Sequence, residues 1–68
     1  MTVFTETERY LESIERRPNE SVEEYAARLY KANMDCYSAH AGRDLAIPFS
    51  ELNWLTRRNW IRRAKRQS

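Results

Sequence analysis

Cys36 and His40 are the first residues to weigh for chemistry. Four positions apart, they share one face of any helix that carries them, so a thiol would meet an imidazole. A cysteine nucleophile activated in this way also needs a third group to orient the base, and donors for an oxyanion, held by a rigid scaffold with a cleft. A chain of 68 residues has little room for such a cleft, so structural packing is the preferred reading of the pair. As metal ligands the two supply half of the four donors that a structural zinc takes, and the chain has no other Cys or His. Zinc would need the same pair from a second copy. Glu23 and Glu24 are adjacent acids, but neighbouring helical positions point about 100° apart. They suit the positive end of a helix dipole better than an acid–base couple. No catalytic residue, cofactor or resident metal is expected, and the protein is read as a non-enzyme.

The second concentration of chemistry-bearing side chains is residues 47–66, which hold both tryptophans and half of the basic residues. Pro48 disfavours helical backbone at Ile47, so a preceding helix ends before it. Residues 48–52 fit one short helical turn, with Phe49 and Leu52 on one side. Asn53 is placed to cap a last helix over about 54–67, which contains no Gly or Pro. At helical spacing Arg57, Trp60, Ile61 and Ala64 share one face, and Arg58, Arg62 and Arg66 lie roughly opposite. Leu55 projects with the arginines, and Trp54 sits at the border. Two readings follow: either the first turn tilts both against the Phe49–Leu52 turn, or they form an exposed apolar pair ringed by Arg58 and Arg62. The second has the composition of an interaction hot spot. Arg57, on the Trp60 face, is expected to lay its stem on a ring and pair its guanidinium with a carboxylate of an earlier helix. Arg58, Arg62, Arg63, Lys65 and Arg66 have no reason to be buried, and such a cationic run suits phosphate contacts.

The order Pro48-Phe49-x-Glu51-Leu52, followed by Arg57, Trp60 and Ala64, resembles a P-[FW]-x-E-L…R-x-x-W-x-x-x-A ending. That ending is common in small helical proteins encoded by bacteriophages and by phage-derived bacterial genes. Ala26-Ala27-Arg28-Leu29-Tyr30 is similar to the small-x-x-Leu-Tyr pattern of their preceding helix. The resemblance spans residues 22–64 and implies a phage-like origin but no activity. The chain departs from the pattern at Asn53 and Trp54, where a Pro and an acidic residue are usual. The departure again singles out Trp54.

Composition sets the outer bounds. The length predicts a single domain over 1–68, and so short a chain buries only about 60% of its unfolded surface. One cysteine excludes an internal disulfide, so a homo-oligomer is a natural route to further stability. One Gly, two Pro and 32% charged residues favour helices over strands. No apolar run has the length of a membrane span, and residues 1–10 lack the hydrophobic stretch of a signal peptide. A cytoplasmic location is expected, in the host cell if the chain is phage-encoded. The net charge of +2 conceals a polarity. Residues 1–53 carry all 10 acids against six bases, whereas residues 54–68 carry six bases and no acid. The two parts attract each other, and whatever remains free of the basic face favours an acidic partner.

These signals predict an all-α fold: a three-helix small domain with a short helical turn before the last helix. Thr5 and Glu8 read as a capping box opening a first helix over about 5–17, with Tyr10, Leu11 and Ile14 buried and Arg16–Arg17 near its C-terminus. Ser21 and Glu24 read as a second box, opening the longest helix over about 21–41. Val22, Tyr25, Ala26, Leu29, Asn33, Cys36, Tyr37 and His40 form its stripe, Tyr30 lies off it, and Gly42 ends it. Leu45 and Ile47 are expected to drop onto the core. The helix formed by 54–67 is expected to bury Trp60 against Leu29, Tyr25 or Ile14.

The functional expectation is a binding protein that regulates or inhibits a host or phage macromolecule through Trp54, Leu55, Arg58, Arg62 and Arg66, with a protein as first partner. The alternatives are nucleic-acid binding through Arg58, Arg62, Arg63, Lys65 and Arg66, and a structural role in an assembly. The wide separation of the second and third helices disfavours a helix-turn-helix.

Overall fold

The computed structural model describes residues 3–43 and 47–68, with side chains from Thr5 onward. The fold is all-α: α1 (Val3–Ser13), α2 (Val22–Ala41), a 3₁₀ turn (Phe49–Glu51) and α3 (Trp54–Gln67). No strand occurs among the described residues.

α2 is delimited by local hydrogen bonds. The Ser21 hydroxyl accepts from the Glu24 N–H (3.1 Å) and the Glu24 carboxylate accepts from the Ser21 N–H (3.2 Å), so the box closes as its spacing requires. At the other end Gly42 takes the left-handed conformation (φ 74°) and its N–H reaches the Ser38 carbonyl. α3 opens on Asn53, whose side-chain oxygen accepts from the Thr56 N–H at 2.9 Å.

α1 departs from expectation at both ends. It already includes Val3, so Thr5 lies inside the helix and does not cap it, and the Glu8 carboxylate is directed to Arg63 on α3. It stops at Ser13, whose hydroxyl donates to the Tyr10 carbonyl, and the Ile14 N–H closes a tighter bond to the Leu11 carbonyl. Arg16 and Arg17 therefore belong to the connection and not to a helix end. That connection is organised from outside. The Arg28 guanidinium grips both Glu20 oxygens at 2.8 Å and the Glu15 carbonyl at 2.6 Å. Glu20 in turn accepts from the Arg17 N–H.

The inner face of α1 is Thr7 and Leu11, continued just past its end by half-buried Ile14, whereas Tyr10 is 51% exposed. Thr7, Leu11 and Ile14 fall within one narrow arc of a helix and Tyr10 lies beside it. The expected Tyr10–Leu11–Ile14 stripe is thus rotated.

The core gathers on the first half of α2, where Tyr25, Ala26 and Leu29 are fully buried together with Ala64 of α3. Ala64 has the smallest side chain of its face, which lets the two helix backbones approach. Trp60 and Ile61 flank this contact half-buried. The Trp60 ring stands edge-on to Tyr30, centroids 5.9 Å apart, which makes Tyr30 its aromatic partner. The later stripe residues Asn33, Cys36 and Tyr37 are half-buried and His40 is exposed.

Tyr30 is the largest revision on α2. Placed off the main stripe by its spacing, it is nevertheless only 6% exposed. The chain returning after α2 covers it: its hydroxyl donates to the Ile47 carbonyl at 2.6 Å and its ring meets Phe49 at 5.8 Å. Ile47 contributes that carbonyl while its residue stays 51% exposed, so it does not drop into the core. Leu45 lies outside the described residues.

A polar chain locks the three helices at the far end. The Gln67 amide donates to the Leu11 carbonyl and the Tyr25 hydroxyl, both at 3.1 Å, and Tyr25 donates onward to the Ile14 carbonyl. Among the described residues no buried side-chain polar atom lacks a partner.

Candidate interaction surface on the last helix

Packing of the Trp60–Ile61–Ala64 face against α2 turns the opposite side of α3 to solvent. Trp54 is 65% exposed and Leu55 52% exposed, so the first turn does not tuck them under the 3₁₀ turn. The Arg58 guanidinium sits 6.0 Å from the centre of the Trp54 ring, within reach of a cation–π attraction. Arg62, Lys65 and Arg66 are exposed as well. Arg58, Arg62 and Arg66 follow one another at four-residue spacing, about 6 Å per step along the helix.

Arg63 leaves this set. Only 14% of its side chain is exposed, and its guanidinium makes two bonds of 3.0 Å to Glu8. It also donates to Gln67 and lies over Trp60. Its expected place on the free basic face is therefore corrected: its charge is spent inside the fold. The reason is its angular position, between the outer arginines and the Trp60 face, where α1 supplies an acid.

Arg57 is half-buried as expected, but the ion pairs formed between described residues are Arg28–Glu20 and Arg63–Glu8. Arg57 instead lines a cleft of about 370 Å³ with Trp54, Arg58, Ile61 and Phe49, facing Glu23 of α2. A second cleft of the same size lies on the other flank, lined by Asn59, Trp60, Arg62, Arg63 and Arg66.

The acids with displaced titration are structural. Hydrogen bonding from Arg63 holds Glu8 below the usual carboxylate range. Hydrogen bonding from Arg28 pulls Glu20 down from 4.5 to about 2, and the same contact raises Arg28. Each is fixed in its charged form by a partner, the reverse of what a proton-transfer group needs. Cys36 is half-buried and His40 exposed on α2. Among the described residues no three His, Cys, Asp or Glu side chains converge as metal ligands. No helix among them is long and apolar enough to cross a membrane.

Sequence reasoning missed Arg63–Glu8, Arg28–Glu20 and the Tyr30–Ile47 contact. Each joins residues too far apart for any local spacing rule. No family model, curated protein or solved structure matches this chain.

Proposed function

We propose that this is a non-enzymatic binding protein that regulates or inhibits a host or phage macromolecule by occupying part of its surface, acting in the host cytoplasm. The contact surface is Trp54, Leu55, Arg58 and Arg62, with Arg66 at its edge. One observation carries the reading: two adjacent large apolar side chains stand in solvent at the start of α3, with an arginine 6.0 Å over the tryptophan ring. Rigid aromatic groups with neighbouring arginine are the composition of interface anchors. The phage-type ending supports the biological setting. The test is recovery of partners from host lysate by the wild-type protein and by a Trp54→Ala/Arg58→Glu variant. Selective loss of one partner by the variant supports the reading, and equal recovery of every partner overturns it.

The line of Arg58, Arg62 and Arg66, with Lys65 beside it, supports a second reading, contact with a nucleic-acid backbone. Affinity would then fall steeply between low and physiological salt, and Arg62→Glu/Arg66→Glu would abolish it. No mobility shift of DNA or RNA at low ionic strength removes this alternative.

A further inference from the structure

We infer that the seam between α2, the 47–51 connection and α3 is a two-compartment groove for an acidic protein segment that presents two apolar side chains. The inference rests on the proposed binding role and names both its partner chemistry and a surface that extends beyond α3.

Phe49 is the common wall. On one side of it lies the cleft already described, lined by Trp54, Ile61 and the two arginines Arg57 and Arg58, with Glu23 on the α2 side. On its other side lies a cleft of about 360 Å³ formed by Ala27, Tyr30, Ile47 and Pro48, ending at Lys31. Glu23, Ala27 and Lys31 are spaced four apart and so form one edge of α2, about 12 Å long. The two compartments therefore lie in series along a single helix edge. Among the described residues, the exposed large hydrophobics include Ile47, Trp54 and Leu55. Ile47 and Trp54 each stand in the wall of one compartment, and Leu55 follows Trp54.

The charges select the occupant. Lys31, Arg57 and Arg58 line the groove against the single carboxylate of Glu23. A segment with acids beside its apolar residues pairs with these cations while seating one side chain on each side of Phe49. Side chains one to two helical turns apart span the stretch of the α2 edge from Glu23 to Ala27 and Lys31, about 6–12 Å. A nucleic acid fits less well. Trp54 offers a stacking face, but apart from the shared Phe49 the far compartment is walled by aliphatic Ala27, Ile47 and Pro48, with Tyr30 buried. The outer cations Arg62 and Arg66 line the opposite cleft.

The test uses the full chain against a random peptide library displayed on yeast, with affinities of selected peptides read by tryptophan fluorescence. The expected result is enrichment of peptides with two apolar residues at fixed separation flanked by Asp or Glu. Lys31→Glu on the exposed rim and Ala27→Trp in the far compartment, each checked for helical content by circular dichroism, should weaken the selected peptides about tenfold or more. Arg9→Glu, at an exposed cation of α1 that lines neither compartment, should change them by less than about threefold. Absence of enrichment, or enrichment of peptides without acids, overturns the groove. So does loss of binding on Arg62/Arg66 reversal with Lys31→Glu and Ala27→Trp silent, an outcome that leaves the outer-face binding role standing. Peptide binding in the groove combined with unchanged lysate partners for Leu55→Ala/Arg62→Glu, which alters neither compartment, would remove the outer-face reading instead. Binding of an oligonucleotide in competition with the selected peptides would assign the groove to nucleic acid and overturn the inference.

Discussion

Arg63 and Glu8 meet through two parallel hydrogen bonds of 3.0 Å although 55 positions separate them in the chain. The pair joins the first and last helices directly, and among the described residues it is the ion pair that links the acidic part of the sequence to the basic one. It also divides the cations of α3 into one that holds the fold and others that remain available.

Glu8 is largely exposed, so its ion pair is screened, and Glu8→Ala should lower stability by only about 0.5–1 kcal/mol. Arg63→Ala should cost about 1–2 kcal/mol, because the stem over Trp60 and the bond to Gln67 go with it. Urea unfolding of both variants checks the order. Equal losses would mean that the ion pair is all Arg63 contributes.

The two tryptophans of α3 should separate folding from binding. Trp60 packs against the core and Tyr30, so Trp60→Ala should cost about 3 kcal/mol, toward the low end for a tryptophan because the ring is half-buried. A domain this small has only about 3–5 kcal/mol in reserve, so that variant should be largely unfolded. Trp54→Ala should stay within about 0.5 kcal/mol of wild type. Thermal melts of the pair decide it, and comparable destabilisation would make Trp54 part of the core and remove the centre of the proposed surface.

Acid should release the connection between α1 and α2. Glu20 titrates at about 2 in the fold instead of 4.5, chiefly through its bonds from Arg28. Its folded value is depressed, so its contribution is fully present above the unfolded value of 4.5 and is lost as the pH falls from there through about 2. Glu20→Gln should flatten the decline in thermal midpoint across that interval. An unchanged pH profile would show that the latch does not couple to folding.

Gly42→Ala tests the end of α2. Among the described residues nothing stands within 4 Å of a methyl group built there, so no clash with them is added. The positive φ of 74° remains, and the left-handed conformation should cost about 1 kcal/mol. A neutral result by calorimetry would mean that the helix end shifts to another residue.

Tyr30→Phe should cost about 1 kcal/mol through loss of the bond to the Ile47 carbonyl. The residue sits in the wall of the far compartment, so the variant should also weaken peptides that fill it more than it weakens the fold. Hydrogen exchange at residues 47–51 measures the release of the connection. Unchanged exchange there would show that Phe49 alone holds the segment down.

The sequence by itself determined the helical class and the limits of α2 and α3. Ser21–Glu24, Gly42, Pro48 and Asn53–Thr56 act over three or four residues, and such hydrogen bonds need nothing beyond the local chain. The phase of α3 likewise placed Leu55 with Arg58 and Arg62, because a helix of fixed pitch has to turn one side outward once Ala64 faces in. Tertiary structure decided the rest. α1 ends early because Arg28, from the next helix, binds the chain beyond it. Tyr30 is covered because the 47–51 segment folds back over it, and Arg63 is withdrawn because Glu8 arrives beside it. The partition of one α2 edge into two compartments by Phe49 depends on where a 3₁₀ turn lies against a helix some twenty residues earlier. No periodicity encodes that distance; only the packed chain sets it.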